Sequence, residues 1–171
     1  MPSEQYKLRN LELSDAVSIC EIYNYYVENT VVTFETQTVT VSEMQNRISE
    51  IINSNNPNYI VEAAGKIAGY CYVHVWKERS AYSHSKEISV YLHKDMIGRG
   101  LGSILYEQIL KTIDATTTHV LMAIITVPNE ESVKLHEKFG FKQVGYMQQV
   151  GWKFGEWRDV GYWELIMDRN C

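Results

Sequence analysis

The segment from Glu87 to Ser103, Glu-Ile-Ser-Val-Tyr-Leu-His-Lys-Asp-Met-Ile-Gly-Arg-Gly-Leu-Gly-Ser, constrains the fold of this chain more than any other. Ile88, Val90 and Leu92 alternate with Glu87, Ser89 and Tyr91, the period-two pattern of a strand whose two faces meet different surroundings. Gly98, Gly100 and Gly102 then arrive at every second position. Glycines so closely spaced remove the Cβ atoms that keep an anion from the backbone and permit positive φ, and the helix that follows aims unpaired N–H groups at the same point. Strand, turn and helix start together predict a cradle for a phosphate-bearing ligand. A dinucleotide fingerprint needs G-x-G-x-x-G after the first strand of a βαβ unit, whereas this chain has G-x-G-x-G past its midpoint, and Gly102 is followed by Ser103-Ile104 rather than the Lys-Ser/Thr of a P-loop. An unliganded glycine-rich turn is the alternative for these residues taken alone.

The rest of the chain alternates strands and helices without a linker, repeat or low-complexity tract. A strand is expected near Tyr6 to Leu11, and Ser14 is placed to cap a helix with an apolar stripe of Ile19, Ile22, Tyr23 and Tyr26. Thr40 and Glu43 make a capping-box pair ahead of Met44, Ile48, Ile51 and Ile52. Strands follow near Tyr59 to Ala64, Ile67 to Trp76 and Lys86 to His93, which predicts an antiparallel run through the middle. The helix from Gly100 to about Ile113 buries Leu101, Ile104, Leu105, Ile109 and Ile113, and a strand over His119 to Thr126 adds beside the one that led into the turn. The next helix is capped by Asn129, favoured by Glu130 and Glu131 at its positive end and Lys138 at its negative end, and stopped by Gly140. These elements predict one mixed α/β domain over residues 1–171.

Composition narrows the function. With 171 residues, 45% apolar and 12% aromatic, the chain can bury a substantial core. Its formal charge of −5 and lack of a Lys/Arg run argue against nucleic acid as a partner. No apolar run approaches the roughly 20 residues of a membrane span, and the start Met-Pro-Ser-Glu-Gln lacks a basic region before an apolar stretch, so a cytoplasmic protein is expected. Cys20, Cys71 and Cys171 are dispersed, without C-x-x-C or His spacing, and read as buried apolar residues or a terminal thiol; no metal is expected.

Ordered strings along nearly the whole chain carry a resemblance. They are Ile22-Tyr-Asn-Tyr-Tyr-Val27, Thr33-Phe-Glu35, Gly69-Tyr-Cys-Tyr72, Trp76-Lys-Glu-Arg-Ser-Ala-Tyr82, Glu87-Ile-Ser-Val-Tyr91, the glycine turn, Asn129-Glu-Glu-Ser-Val-Lys-Leu-His136, Phe139-Gly-Phe141 and Gly151-Trp-Lys-Phe-Gly-Glu-Trp-Arg-Asp159. With them the sequence resembles the GNAT superfamily of N-acetyltransferases, and the Trp-Lys-x-Arg-x-Ala-Tyr and Lys-Phe-Gly-x-Trp strings resemble its phosphinothricin acetyltransferase group. The resemblance implies the GNAT fold: a mostly antiparallel twisted sheet of about seven strands with splayed middle strands, flanked by about four helices. It implies acetyl-CoA as acetyl donor, a small-molecule amine as acceptor, and a homodimer.

Site residues follow from the same likeness. Acetyl-CoA is expected against Val90, Tyr91 and Leu92, the turn residues Gly98, Arg99, Gly100, Leu101, Gly102 and Ser103, and Asn129 and Ser132. A plain helix N-cap is the alternative for Asn129. His136 stands where many members place a tyrosine thought to protonate the departing thiolate; a satisfied core histidine is its alternative. Glu87 is the candidate base, against a reading as a surface carboxylate. The attacking amine must be neutral, which at pH 7 costs about 1.4 kcal/mol for an α-amine near pKa 8 and about 4.6 kcal/mol for a lysine near 10.4, and a carboxylate can accept that proton. The acceptor is expected among Phe34, Trp76, Lys77, Arg79, Tyr82 and Lys153, with Phe154 and Trp157 nearby; aromatic residues at this density also serve as core, and Lys77 or Lys153 as solvated surface. The pattern departs from the superfamily at Ile97, where Arg or Gln is common, which removes one donor to the pyrophosphate. Three functions are compatible with these residues: a small-molecule N-acetyltransferase acting on phosphinothricin, methionine sulfoximine or methionine sulfone, a protein or peptide N-acetyltransferase, and a non-catalytic acyl-CoA-binding module.

Overall fold

A computed structural model describes residues 6–113 and 118–167. Its strands are β1 (Tyr6–Arg9), β2 (Asn58–Ala63), β3 (Lys66–Val75), β4 (Ser85–Leu92), β5 (Val120–Val127), β6 (Lys142–Lys153) and β7 (Glu156–Ile166), and its α-helices α1 (Ala16–Asn29), α2 (Val41–Asn53), α3 (Leu101–Ile113) and α4 (Glu130–Lys138). The strands form one sheet in the order β1-β2-β3-β4-β5-β7-β6. All neighbours are antiparallel except β4 and β5. This is the mixed α/β architecture expected from the sequence, with seven strands and four α-helices among the described residues.

Period-two alternation explains why the sheet can be covered on both faces. Ile60 and Tyr70 point into a cluster with Ile19, Ile22 and Ile48 from α1 and α2. Their neighbours Val61 and Cys71 point the other way, into a cluster with Leu101, Leu105, Tyr106 and Ile109 from α3. Gly69 lets β3 close on β4, because a Cβ there would lie 2.9 Å from the Tyr91 carbonyl oxygen. Cys20 and Cys71 are buried free thiols. Cys171 and the first five residues lie outside the described residues.

The capping box before α2 forms as expected, with Thr40 Oγ1 accepting from Glu43 N–H at 3.2 Å and Glu43 accepting from Thr40 N–H at 2.7 Å. The start of α1 differs from expectation. Ser14 does not cap it, because a 3₁₀ turn over Leu13–Asp15 intervenes. Asp15 is the organising residue: its carboxylate accepts from Glu12 N–H at 2.8 Å and from both terminal nitrogens of Arg9 at 2.8 and 2.7 Å. Arg9 also reaches Glu62 on β2 at 2.7 Å. The first strand accordingly stops at Arg9 rather than Leu11, since the chain must turn back to present Asp15 to that guanidinium.

Leu105, fully buried where α3 meets the sheet, tests this packing. Leu105→Ala is expected to lower unfolding free energy by about 2–5 kcal/mol in urea titration, the range for a leucine truncated where neighbours collapse only partly.

Candidate active site

The site begins where the sheet comes apart. β4 and β5 pair in parallel only from Ser85↔Val120 to Glu87↔Met122. Beyond that point β4 stays with β3 as far as Leu92, while β5 stays with β7 as far as Val127. The two strands therefore diverge, and the β4 edge past Glu87 faces a wedge instead of a partner strand.

Two adjoining cavities occupy the wedge and its mouth. The inner one, about 250 Å³, runs along β4 from Glu87 to Tyr91 and is closed by Phe34, Thr126, His136 and Val160. The outer one, about 510 Å³, reaches the glycine turn at Ile97, Gly98, Gly100, Gly102 and Ser103. Val32, Val90, Asn129 and Ser132 line both. The two cavities thus adjoin, and together they extend from the turn to Glu87.

At the outer end, Gly98 and Gly100 have φ of +78° and +80°, and a Cβ built on either would meet nothing within 4 Å. The turn is an open left-handed concavity in front of the first N–H groups of α3, the combination that suits an anion. Leu101 turns away from it into the core, fully buried, so its side chain anchors the helix and only its backbone can serve a ligand. Arg99 is exposed beside the turn. Lys138, which the sequence marked only as a helix-end charge, reaches across from α4 to donate to Ser103 Oγ at 2.8 Å, adding a cation at the cradle. Leu135, on the α4 face shared with Ser132 and His136, lines the outer cavity as the resemblance implies, and Tyr25, Tyr26 and Thr30 line it too; these three escaped sequence reasoning, the tyrosines because a helical aromatic stripe looks like ordinary core and Thr30 because it merely ends α1.

Asn129 caps α4, its Oδ1 accepting from Ser132 N–H at 3.2 Å, while the residue lines both cavities. Capping and ligand contact are compatible because the amide NH₂ is not used in the cap. His136 is buried at the inner wall with both ring nitrogens engaged. Nδ1 donates to the Ser132 carbonyl at 2.7 Å, so Nε2 is the acceptor and takes the Tyr106 O–H at 2.5 Å. Burial pushes the imidazole pKa down, opposed by the bond to Ser132, so the environment favours the neutral ring.

Glu87 sits at the last paired position before the strands part, with only a fifth of its side chain exposed. Desolvation raises its carboxyl to a pKa of about 7, against a lowering by Lys77. Its cross-strand partner is His74, at 3.9 Å, whose own pKa is lowered by burial. A carboxyl that titrates near neutrality beside a cavity is suited to exchange a proton with a bound amine.

Among the residues expected around the acceptor, Phe34 lines the inner cavity, whereas Trp76, Lys77, Arg79, Tyr82 and Lys153 line neither. Trp76 packs edge-on against Tyr82 at 5.3 Å with Lys77 over its ring at 5.2 Å, and its buried Nε1 has no hydrogen-bond partner. Arg79 is exposed at the start of a 3₁₀ turn over Ser80–Tyr82. Lys153 is not a solvated lysine; it is 2% exposed and donates to the Thr33 carbonyl at 2.8 Å.

The Acetyltransferase (GNAT) domain family matches residues 8–161. The chain is 35% identical to a phosphinothricin N-acetyltransferase of Streptomyces viridochromogenes over 92% of its own length and 86% of that protein's. It is 32% identical to an L-methionine sulfoximine/L-methionine sulfone acetyltransferase of Pseudomonas paraeruginosa, covering 94% of both chains. Among solved structures, it superposes with a TM-score of 0.91 and 30% identity on a GNAT superfamily phosphinothricin acetyltransferase from Sinorhizobium meliloti in complex with acetyl-CoA, covering 95% of this chain and 88% of that one. The chain belongs to the GNAT acetyltransferase family. It is an acetyl-CoA-dependent N-acetyltransferase. The open glycine concavity and the channel beyond it fit an elongated thioester with a phosphate-bearing end. Among the described residues no cluster of His, Cys, Asp or Glu is suited to a metal ion, and no helix is long and apolar enough to cross a membrane.

Ile97 lines the outer cavity and is 39% exposed, in the position where a donor side chain is commonly found. Ile97→Arg is expected to lower the acetyl-CoA dissociation constant several-fold in isothermal titration calorimetry, the gain shrinking as salt screens the new charge.

Proposed function

We propose that this enzyme is a cytoplasmic homodimer that transfers the acetyl group to the α-amine of a small amino acid analogue of the phosphinothricin, methionine sulfoximine or methionine sulfone type, by direct attack in a ternary complex. The observation that carries the reading is Glu87: a carboxyl with a pKa raised to about 7 at the inner end of a channel whose outer end is the phosphate cradle. The inner cavity, about 250 Å³ and closed on one side by Phe34, suits a small acceptor better than the open groove a peptide requires. The named relatives support the acceptor class.

In this mechanism the amine enters beside Glu87, gives it a proton directly or through one water, and attacks the thioester carbonyl. Acetyl-CoA supplies the activated acyl group. Past Glu87 the unpaired edge of β4 presents backbone polar groups to the wedge, and at least one N–H among Val90 to Leu92 stabilises the developing oxyanion. Asn129 and Ser132 orient the pantetheine arm, Gly98, Gly100 and Gly102 admit the pyrophosphate, and Arg99 balances its charge. His136 is assigned to holding the inner wall. Protonation of the departing thiolate by His136 requires the ring to release Ser132 or Tyr106, because both nitrogens are engaged.

A base must be deprotonated to act, so a folded pKa of about 7 places the loss of activity on the acid side. The expected kcat/KM rises about tenfold per pH unit below 7 and levels above it, before other groups titrate. Glu87→Gln is expected to lower kcat at least tenfold at pH 8, about 1.4 kcal/mol of transition-state stabilisation, and to remove that acid limb. Initial rates of CoA release with the three analogues check both, and full activity in the variant rejects Glu87 as base.

Dimerisation is the family's expectation, and one face supports it. On β6, β7 and the turn between them, Val150, Trp152, Phe154 and Trp157 are each more than half exposed, an unusual apolar concentration for free surface, and β6 is an edge strand. Trp152→Glu with Trp157→Glu is expected to convert a dimer to a monomer in sedimentation-velocity experiments; a monomeric parent removes the assembly.

A further inference from the structure

The inner cavity is walled on one side by a strap without regular structure, Thr33 to Glu35, which crosses between α1 and α2. Two independent sets of contacts hold it. On the helical side Thr33 Oγ1 bonds to Tyr23 Oη at 3.0 Å, Tyr23 O–H donates to Glu35 at 3.0 Å, and Arg47 of α2 donates to both Glu35 oxygens at 2.7 and 3.3 Å. On the other side the holders come from β6, far away in sequence.

β6 is irregular at this point. Its register against β7 shifts between Met147 and Gly151, so that Met147 pairs with Val160 and Gly151 with Arg158. Gln149 has φ of +53° and its N–H donates to Asp159 Oδ1 at 2.7 Å. Through this bulge, Met147 to Val150 are exposed without alternation; after it, Gly151 and Lys153 are buried on either side of exposed Trp152. A bulge characteristically re-aims the strand that follows. Here it turns two same-face positions onto the strap.

Each of those positions has a specific contact. The Phe34 ring occupies the place of a side chain on residue 151: a Cβ built there would overlap Cε2, Cζ and Cδ2 of the ring, the farthest at 2.8 Å. Gly151 needs no left-handed backbone, so close approach is the reason for glycine here. Two residues on, Lys153 is buried with its Nζ on the Thr33 carbonyl at 2.8 Å. The same strand thus fixes the backbone of the strap at Thr33 and the depth of the ring at Phe34.

We propose that Gly151 and Lys153 are specificity-determining residues for the acceptor, acting through Phe34: the missing side chain at 151 and the Lys153–Thr33 bond set where the ring stands and therefore what size of amine the inner cavity admits. This rests on the reading that the acceptor occupies that cavity. Neither residue lines the cavity, so both are positioning residues rather than contacts.

The experiment compares the parent, Gly151→Ala, Phe34→Leu and the double variant, with methionine sulfone as acceptor, and places 4-fluorophenylalanine at the four phenylalanines for ¹⁹F NMR. In Gly151→Ala the acceptor KM is expected to rise at least fivefold while the acetyl-CoA dissociation constant stays within twofold, and the Phe34 resonance, assigned by its loss in Phe34→Leu, shifts. On the Phe34→Leu background the alanine is expected to change KM less than twofold, since the smaller side chain leaves room for it. Lys153→Met is expected to shift the same resonance. An equal KM effect on both backgrounds, or an unmoved Phe34 resonance in Gly151→Ala, overturns the proposal. A parent that turns over none of the amino acid analogues defeats the acceptor reading instead, and the ¹⁹F shift still decides whether Gly151 positions Phe34.

Discussion

The interruption of the β4–β5 ladder is the constraint on which the rest of the site depends. Buried backbone N–H and C=O groups need partners, and two adjacent parallel strands that separate after Glu87 and Met122 leave that edge of β4 without a partner strand, its Leu92 carbonyl taken instead by the Tyr26 O–H at 2.6 Å. The separation persists because each strand is firmly held on its other side, β4 by β3 from Val75 to Gly69 and β5 by β7 along its whole length. Neither can swing over to close the gap without breaking a longer ladder. The wedge is therefore a built-in vacancy for something that can hydrogen-bond to an extended backbone edge, and an amide-containing pantetheine arm has that chemistry. The channel geometry, the location of Glu87 and the position of α4 all follow from where the ladder ends.

Electrostatics in the channel are local. The chain carries a formal charge of −5, an unfavourable background for an anionic cosubstrate, and the positive features gathered at the turn are the first turn of α3, the two positive-φ glycines, Arg99 and Lys138. Lys138 illustrates how a helix-end lysine acquires a second role once its helix is laid beside another helix start: the same ammonium that favours the C-terminus of α4 also sits on Ser103 of α3.

The legible parts of this fold and site were those with short-range signals. The Thr40–Glu43 box, the alternation in β4 and the glycine turn each act within a few residues, and the structure has them where the residues placed them. The Asp15–Arg9–Glu62 network defeated the reading of Ser14 as a helix cap because its decisive partner lies on β2, 53 residues from Arg9. The acceptor wall was half legible. Phe34 could be named from the likeness to related chains, but Lys153 was read as a substrate contact or a solvated lysine, and no local pattern says that a bulge at Gln149 turns it inward onto a backbone carbonyl 120 residues earlier in the chain. Nothing in the α3 pattern singles out Tyr106; only the packing of α4 against it makes it a hydrogen-bond donor to His136.

Burial acts on the two catalytic candidates in opposite numerical directions and with one physical effect. It raises the Glu87 pKa to about 7 and lowers that of His136, and in both cases it favours the neutral form. Near neutral pH such a site carries less fixed charge than a solvated glutamate would give it. An ammonium entering beside Glu87 changes that balance, because an opposite charge within a few ångströms in a poorly solvated cavity lowers the carboxyl pKa, while the same desolvation lowers the pKa of the amine. The two groups then titrate as a coupled pair whose proton can move between them at small cost. A wholly solvated glutamate near pKa 4.3 lacks this property: the proton would have to climb from an amine near 8 to a much weaker base, about 5 kcal/mol uphill at 1.36 kcal/mol per unit. The location of Glu87 at the last rung of the β4–β5 ladder, deep enough to lose most of its water and on the wall of the inner cavity, is thus what gives an ordinary strand carboxylate the pKa that the proposed role as base to an amine requires.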